Sequence, residues 1–264
     1  MLRKPDIDVV IEDVCFRYPR PYNSSIDDDI LRNVSLDIRS GSIVSVVGHS
    51  GCGKSTLLRL IAGLLDARSG RITVAGDSPA VSRRAGHFGF VFQDPNLMAW
   101  RTVYENISLP GEVGRKQVNK NDIEQLIHLV GLDGYENYYP ANLSGGMRSR
   151  VAIARALVTK PGLILMDESF ASLDELTRER LSIDFMNLVH LQGATVVFVT
   201  HNISEAVFMS DQVNVARGKP ATLSEQIHIP LPRPRLPAHR ETPEFFGAIR
   251  QIKQALGAEL QSRP

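Results

Sequence analysis

Residues 48–56 read Gly-His-Ser-Gly-Cys-Gly-Lys-Ser-Thr, and this stretch decides the fold. It matches the pattern G-x-x-x-x-G-K-[ST], which forms a phosphate-binding loop when it lies between a strand and a helix. The apolar run Ile43–Val47 before it predicts a buried strand. Leu57, Leu60 and Leu64 after it share one helix face. This context favours a phosphate cradle over a glycine turn with an exposed lysine.

The polar groups of this loop have distinct predicted contacts. Its glycines let backbone N–H groups converge on phosphate oxygens, and the helix that follows adds the positive end of its dipole. Lys54 is expected to reach the β- and γ-phosphates of ATP, and Ser55 to contact magnesium. The predicted nucleotide-binding residues of the stretch are Gly48, Ser50, Gly51, Gly53, Lys54, Ser55 and Thr56.

Further short apolar runs extend the predicted sheet, with helical patterns between them. They are Phe88–Phe92, Leu163–Met166 and Thr195–Thr200. Short antiparallel strands, including Val9–Ile11 and Val34–Ile38, are expected in the first forty residues, and residues from about 94 to 160 read as mostly helical. We therefore predict an α/β fold of the P-loop NTPase type. It has a mostly parallel core sheet, an N-terminal antiparallel β-subdomain and an inserted helical subdomain.

The chain changes character after about residue 218, so we predict an ATPase domain at 7–220 and a C-terminal extension at 221–264. Prolines crowd a basic segment with Arg233, Arg235 and Arg240, and Thr242 precedes a helix that starts at Pro243. The apolar residues on one face of that helix are Phe245, Ile249, Ile252, Leu256 and Leu260. The helix either packs on its own domain or serves a partner or regulatory contact.

Composition excludes several functional classes. The net charge of +1 gives no field to attract nucleic acid, and two cysteines make no disulfide framework. A secretory signal is not expected at the N-terminus, and no segment approaches the roughly 20 apolar residues that cross a bilayer. Any membrane role must therefore come through a partner. Asp27, Asp28 and Asp29 read as a solvated loop rather than a cation site.

Polar residues follow three of the predicted strands. Asp167 and Glu168 end one strand, where Asp167 is expected to hold magnesium and Glu168 to polarise the attacking water. His201 and Gln93 end two others; His201 is placed to contact the γ-phosphate and the water, and Gln93 magnesium or the water. Taken alone, the acidic pair is more often a helix cap, the histidine a surface residue and the glutamine structural. The upstream phosphate loop favours the catalytic interpretation.

A second glycine-rich helix start indicates the family that the sequence resembles. Leu-Ser-Gly-Gly-Met-Arg at 143–148 places Ser144, Gly145 and Gly146 where a helix begins, which is a second anion-binding position. One nucleotide cannot easily use both helix starts of one chain. Two chains solve this if each offers its second helix start to the nucleotide of the other.

With these motifs in this order, the sequence closely resembles the ATP-binding subunits of ABC transporters over roughly residues 7–215. The resemblance implies that Gln93 is the Q-loop residue, that Asp174 belongs to the D-loop and that His201 is the switch histidine. It also implies that Tyr18 stacks on adenine, although a tyrosine before a proline is otherwise a core or strand-edge residue. Ser149 and Ser169 depart from the usual residues without replacing a principal catalytic group.

The resemblance implies an assembly as well as a site. It implies a homodimer with two ATP molecules and Mg²⁺ at its interface, peripheral on the cytoplasmic face of the inner membrane. Closure on ATP would move integral membrane permease subunits, and a separate extracytoplasmic binding protein would select the solute.

Two regions narrow the resemblance to the nitrate, sulfonate and taurine importer subgroup, hence to a small anion or sulfonate-type solute. They are Leu97–Val103 with Glu105–Ile107, and the tail Pro230–Arg235. Trp100 either lies near the permease groove or packs under the helical subdomain.

Two other functions stay open at this point. One is a soluble ABC-type ATPase that acts on nucleic acid or ribosomes, although such proteins usually carry two ATPase units or a long coiled coil. The other is a regulatory module that binds nucleotide without useful turnover, which only Ser149 and Ser169 support.

Overall fold

The computed structural model describes residues 7–19, 29–114 and 116–257. Asp27, Asp28 and Leu260, which the sequence singled out, lie outside the described residues. Within the described ranges, no helix combines the length and the apolar character that are needed to cross a bilayer.

A six-stranded sheet forms the centre of the fold. In chain order its strands are β3 (Ile43–Gly48), β5 (Phe88–Val91), β6 (Leu163–Asp167), β7 (Thr195–Thr200), β8 (Gln212–Arg217) and β9 (Thr222–His228). The spatial order is β5-β6-β7-β3-β8-β9, with five parallel strands and β9 antiparallel to β8. Strands β3, β6 and β7 are buried at every residue, which explains their continuous apolar runs.

An antiparallel sheet covers one side of this centre. It consists of β1 (Val9–Phe16), β2 (Leu31–Ile38) and β4 (Ser69–Val74), in the order β2-β1-β4. Its alternate residues point inward and join a core that includes Val44 and Val46 of the central sheet and Leu57 of the first helix. The predicted antiparallel region is therefore confirmed, with one strand more than the sequence indicated.

Eight α-helices complete the described fold. They are α1 (Lys54–Ile61), α2 (Pro79–Arg84), α3 (Val103–Val113), α4 (Lys120–Leu129), α5 (Gly145–Leu157), α6 (Glu175–Gln192), α7 (Ile203–Met209) and α8 (Pro243–Gly257). Helices α3, α4 and α5 fall in the stretch that was predicted to be helical. Thr102 and Glu105 form a capping box at the start of α3, and Asn119 caps α4; such caps are worth about 1 kcal/mol each.

The C-terminal residues pack on the rest of the chain. Strand β9 extends the central sheet, and Phe245, Ala248 and Ile252 of α8 are buried in the same core as α7. The side chain of Thr242 accepts a 3.3 Å hydrogen bond from the Phe245 N–H at the start of α8. The predicted boundary at residue 220 falls between two hydrogen-bonded strands of one sheet. The division of the chain into domains stays a prediction.

Basic residues of the proline-rich segment attach it to α7 and β8. Arg233 forms two 2.9 Å hydrogen bonds with the carboxylate of Asp211. Arg235 is 2% exposed and donates to the backbone oxygens of Phe208, Ser210, Leu231 and Pro232. The guanidinium groups of Arg233 and Arg235 therefore bind partners within the chain.

Candidate functional site

The glycine loop links β3 to α1, as the sequence predicts. Gly51 and Gly53 have φ values of 76° and 99°, a region that L side chains rarely adopt. A Cβ on Gly53 would lie 2.9 Å from side-chain carbons of Ile30 and Leu31. The turn therefore requires glycine there, and it leads backbone N–H groups into the start of α1.

Lys54 is buried within this loop and forms no ion pair with a carboxylate in the described part of the chain. Its side chain is 6% exposed, and Nζ donates to the backbone oxygens of Gly48 at 2.9 Å and His49 at 3.0 Å. A buried ammonium whose hydrogen bonds go only to neutral oxygens is compensated in part. An anion bound in the loop would supply the missing compensation, so the loop fits the phosphates of ATP.

Ser55 and Asp167 come together from opposite parts of the sequence. Ser55 Oγ donates a 2.8 Å hydrogen bond to Oδ1 of Asp167, which is 2% exposed at the end of β6. Burial raises the pKa of Asp167, while the Ser55 hydrogen bond and the charges of Arg59 and Lys54 act in the opposite direction. A hydroxyl and a buried carboxylate are hard oxygen ligands, so the pair fits Mg²⁺.

Glu168 and His201 form the second pair at this edge. His201 Nδ1 lies 3.2 Å from Glu168 Oε2, and the side chains are 57% and 17% exposed. Glu168 has φ 46°, in the left-handed region that costs a non-glycine residue energy. Its N–H donates 3.0 Å to the backbone oxygen of Val199, which holds this unfavourable conformation in place.

Gln93 lies near these groups but does not bind them. It follows β5, so it occupies the same carboxyl edge as Glu168 after β6 and His201 after β7. Its side chain is exposed and makes no hydrogen bond with any other residue in the described part of the chain. Its predicted contact with magnesium or water stays a prediction.

Tyr18 flanks the first turn of α1. Its hydroxyl lies 3.1 Å from Thr56 Oγ1 and accepts a 3.4 Å hydrogen bond from Arg59. Its ring meets Phe16 edge-on, with centroids 4.9 Å apart, and the residue is 39% exposed. The hydroxyl thus anchors the side chain beside the loop, while part of the ring stays open to solvent.

The second helix start is exposed. Ser144 Oγ caps α5 by accepting a 3.2 Å hydrogen bond from the Met147 N–H, and both Ser144 and Gly145 are exposed. Gly146 lies close to the turn before α6, because a Cβ there would be 3.4 Å from the backbone oxygen of Ser172. Asp174 caps α6 through the Thr177 N–H at 3.0 Å. Each cap uses one carboxyl or hydroxyl oxygen, and the first residues of α5 are accessible to solvent.

Trp100 is 74% exposed, which excludes a packing role beneath the helices. The backbone around it is nevertheless fixed, because buried Asn106 accepts from the Met98 N–H at 2.8 Å and donates to three backbone oxygens. Those oxygens belong to Met98, Arg101 and Thr102. A rigid loop thus presents the indole to solvent.

Comparison with known proteins agrees with this geometry. Residues 31–171 match the sequence profile of the family described as ABC transporter. The aliphatic sulfonates import ATP-binding protein SsuB of Bacillus cereus is 39% identical over 222 residues, which is 84% of this chain and 86% of that protein. The chain belongs to the ABC transporter family. Like the other members of that family, this ABC protein is an ATPase that uses ATP with Mg²⁺.

Two further comparisons describe the same family. The nitrate import ATP-binding protein NrtC of Synechococcus elongatus is 42% identical over 82% of this chain and 33% of its own length. The dimeric structure of the ATP-binding cassette MJ0796 with ADP and Pi matches with a TM-score of 0.73 at 30% identity. The match covers 83% of this chain and 98% of the MJ0796 chain. The P-loop NTPase fold of this ABC protein is thereby confirmed, whereas the roles of individual site residues stay predictions.

Sequence reasoning missed Arg178, which supports the site of this ABC protein from α6. Its Nε and one terminal nitrogen donate to the backbone oxygens of Phe170 at 3.2 Å and Leu173 at 2.7 Å. These oxygens lie in the turn between Glu168 and Asp174. A single arginine in the first turns of a helix is common on protein surfaces, so the sequence carries no signal for this role.

Proposed function

We propose that this ABC ATPase is the energy-coupling subunit of an importer for a small anion or sulfonate-type solute. The observation that carries the proposal is the pair of separate helix starts, one at the Lys54 loop and one at exposed Ser144. The likeness to SsuB and NrtC, whose names specify sulfonate and nitrate import, supports the substrate class.

ATP hydrolysis is proposed to use the polar residues at the carboxyl edge of the central sheet. The loop N–H groups and Lys54 bind the β- and γ-phosphates, with Ser50 and Thr56 lining the loop. Ser55, Asp167 and Gln93 would hold Mg²⁺, which would shield the charge of the phosphates. Glu168 accepts a proton from the water as the water oxygen forms a bond to the γ-phosphorus. The bond between the γ-phosphorus and the β–γ bridging oxygen breaks, and ADP and phosphate leave. His201 contacts the γ-phosphate and orients Glu168.

The second helix start completes the site in a dimer. Ser144, Gly145 and Gly146 of one chain contact the γ-phosphate bound by the other, and Asp174 lies at the interface between the chains. Tyr18 stacks on adenine through the open part of its ring. The exposure of Ser144 and Gly145 supports this, because a solvent-accessible helix start can meet an anion that a second chain holds.

Closure of the dimer on ATP then moves integral membrane permease subunits. Trp100 is proposed to contact the permease, since the loop that Asn106 fixes holds it exposed. The protein would be peripheral on the cytoplasmic face of the inner membrane. A separate extracytoplasmic binding protein would deliver the solute, and no nucleic acid partner is expected.

Co-purification from solubilised membranes tests the proposal. The tagged chain is expected to recover a multi-span membrane protein, and Trp100→Ala to reduce that recovery while the ATPase activity of the isolated chain is retained. Phe246→Ala, a change of another exposed aromatic at 55% exposure, is the matched control. If no multi-span protein is recovered with the unmodified chain, the importer proposal is wrong.

A further inference from the structure

Hydrogen bonds connect the residues on either side of His201 with Glu205 of α7. Thr200 Oγ1 accepts from the Asn202 N–H at 3.0 Å and donates to Glu205 Oε2 at 2.5 Å. The Glu205 N–H in turn donates 3.1 Å to Oδ1 of Asn202. The residues on both sides of the histidine are therefore bonded to the same carboxylate-bearing turn of α7.

Burial of the Glu205 carboxyl group costs free energy, so this residue is expected to do more than fill space in the core. The residue is 8% exposed, and Oε1 is buried without a hydrogen-bond partner among residues 7–19, 29–114 and 116–257. Burial raises the pKa of this carboxyl, while the Thr200 hydrogen bond and the charges of Arg178, His201 and Arg240 lower it. An apolar residue of similar size would avoid this cost.

Two arginines face this carboxylate from different elements. Arg240 lies 3.8 Å above the ring of Phe208 on α7 and reaches Glu179 at 3.6 Å. Arg178 binds the turn that follows Glu168, through the oxygens of Phe170 and Leu173. Glu205 thus interacts with the turn that carries His201, through Thr200, and with the charge of the arginine that holds the turn after Glu168.

We propose that Glu205 is a positioning residue that fixes the orientation of the His201 turn, so that Nδ1 stays directed at Glu168. Its carboxylate oxygen orients the Thr200 hydroxyl, which leaves the hydroxyl lone pair aimed at the Asn202 N–H. This sets the backbone on both sides of the imidazole. The inference rests on the proposed role of His201 in ATP turnover.

Steady-state ATP hydrolysis by the purified chain tests it. Glu205→Ala is expected to lower kcat about 10- to 100-fold, because a small displacement of a catalytic group has effects of that size, with KM for Mg-ATP within about twofold. Glu205→Gln is expected within about threefold of wild type, because the amide oxygen can accept the Thr200 hydrogen bond. The exposed Glu124→Ala is the matched control.

Combination with His201→Ala separates positioning from a general structural role. If Glu205 acts through His201, adding Glu205→Ala to His201→Ala lowers kcat by less than about twofold more. A full second loss in the double variant would overturn the inference, as would wild-type turnover of Glu205→Ala beside an impaired His201→Ala. Full turnover of His201→Ala would instead contradict the proposed role of the histidine itself.

A second pair of variants covers the outcome in which Glu205→Ala does not fold. Thr200→Ser keeps the hydroxyl and is expected within about threefold of wild type, whereas Thr200→Val removes it at nearly constant volume and is expected to match the kcat loss of Glu205→Ala. Equal turnover by the two Thr200 variants would overturn the inference.

Discussion

Ser149 Oγ lies 2.7 Å from Ser172 Oγ, so a hydrogen bond joins α5 to the turn between Glu168 and Asp174. Ser149 is 6% exposed, and its position was one of the two departures from the usual family pattern. The Ser149 hydroxyl thus connects the helix that begins at Ser144 with the turn that follows Glu168.

Ser149→Ala is expected to reduce the free energy of unfolding by about 1 kcal/mol, since it leaves the Ser172 hydroxyl without this partner. Urea denaturation measures the change. The double variant with Ser172→Ala should cost less than the sum of the single changes, whereas strict additivity would mean that the two hydroxyls do not interact in solution. Ser78→Ala, at an exposed serine without a side-chain capping bond, should stay within about 0.5 kcal/mol of wild type.

Glu168→Gln should lower ATP hydrolysis by about 100-fold or more, because an amide cannot act as a base toward water. Binding of ATP is retained, so the variant should accumulate as a dimer with ATP on gel filtration. The exposed Glu124→Gln should keep wild-type turnover and behaviour on the column. Rapid phosphate release by Glu168→Gln would mean that another group activates the water.

The raised pKa of Glu205 predicts a pH-dependent difference in stability between Glu205→Gln and wild type. An acid with a higher pKa in the folded state binds more protons there, so wild-type stability falls as pH rises from about 4.5 through the raised folded pKa. Arg178, Arg240 and His201 oppose this shift but do not reverse it. The gain in the free energy of unfolding of Glu205→Gln over wild type should be larger at about pH 8 than at about pH 4. A gain that is equal at both values would contradict the assignment.

Arg235→Ala should lower the free energy of unfolding by about 3–5 kcal/mol, because it opens a cavity and leaves several buried backbone oxygens unbonded. Burial of the guanidinium lowers the pKa of Arg235 to about 10. Urea denaturation measures the loss. Arg250→Ala, on the exposed side of α8, should change stability by about 0.5 kcal/mol or less.

Four of the five parallel strands could be predicted from their apolar runs, which in β3, β6 and β7 are buried on both faces, as in Thr195–Thr200. Strand β8 was missed, because Asn214 interrupts its apolar run. Strand β4 could not be predicted, since the residues Ser69–Arg71 are exposed and only Ile72 and Val74 are buried. Strand β9 buries a single residue, Ile227, so its pairing with β8 leaves no periodic pattern. Tertiary pairing, rather than local preference, defines both strands.

The candidate site could be predicted where polar side chains directly follow the ends of parallel strands. Asp167, Glu168 and His201 reach one edge because parallel strands end together, and the glycine loop identifies that edge. The hydroxyl partner of Tyr18 was not predictable, because Thr56 is 38 residues away and the contact depends on how β1 packs against α1. The role of Arg178 depends likewise on backbone oxygens, which leave no mark on the sequence.

The pairing of β9 with β8 has a consequence for shortened versions of this protein. A chain cut at residue 220 would leave β8 as an open edge, with backbone N–H and C=O groups ready to pair with another molecule. Its buried Val213 and Val215 would also lose part of the cover that Ile227 and α8 give. Fragments that end there would therefore aggregate, so the last forty or so residues protect the solubility of the whole.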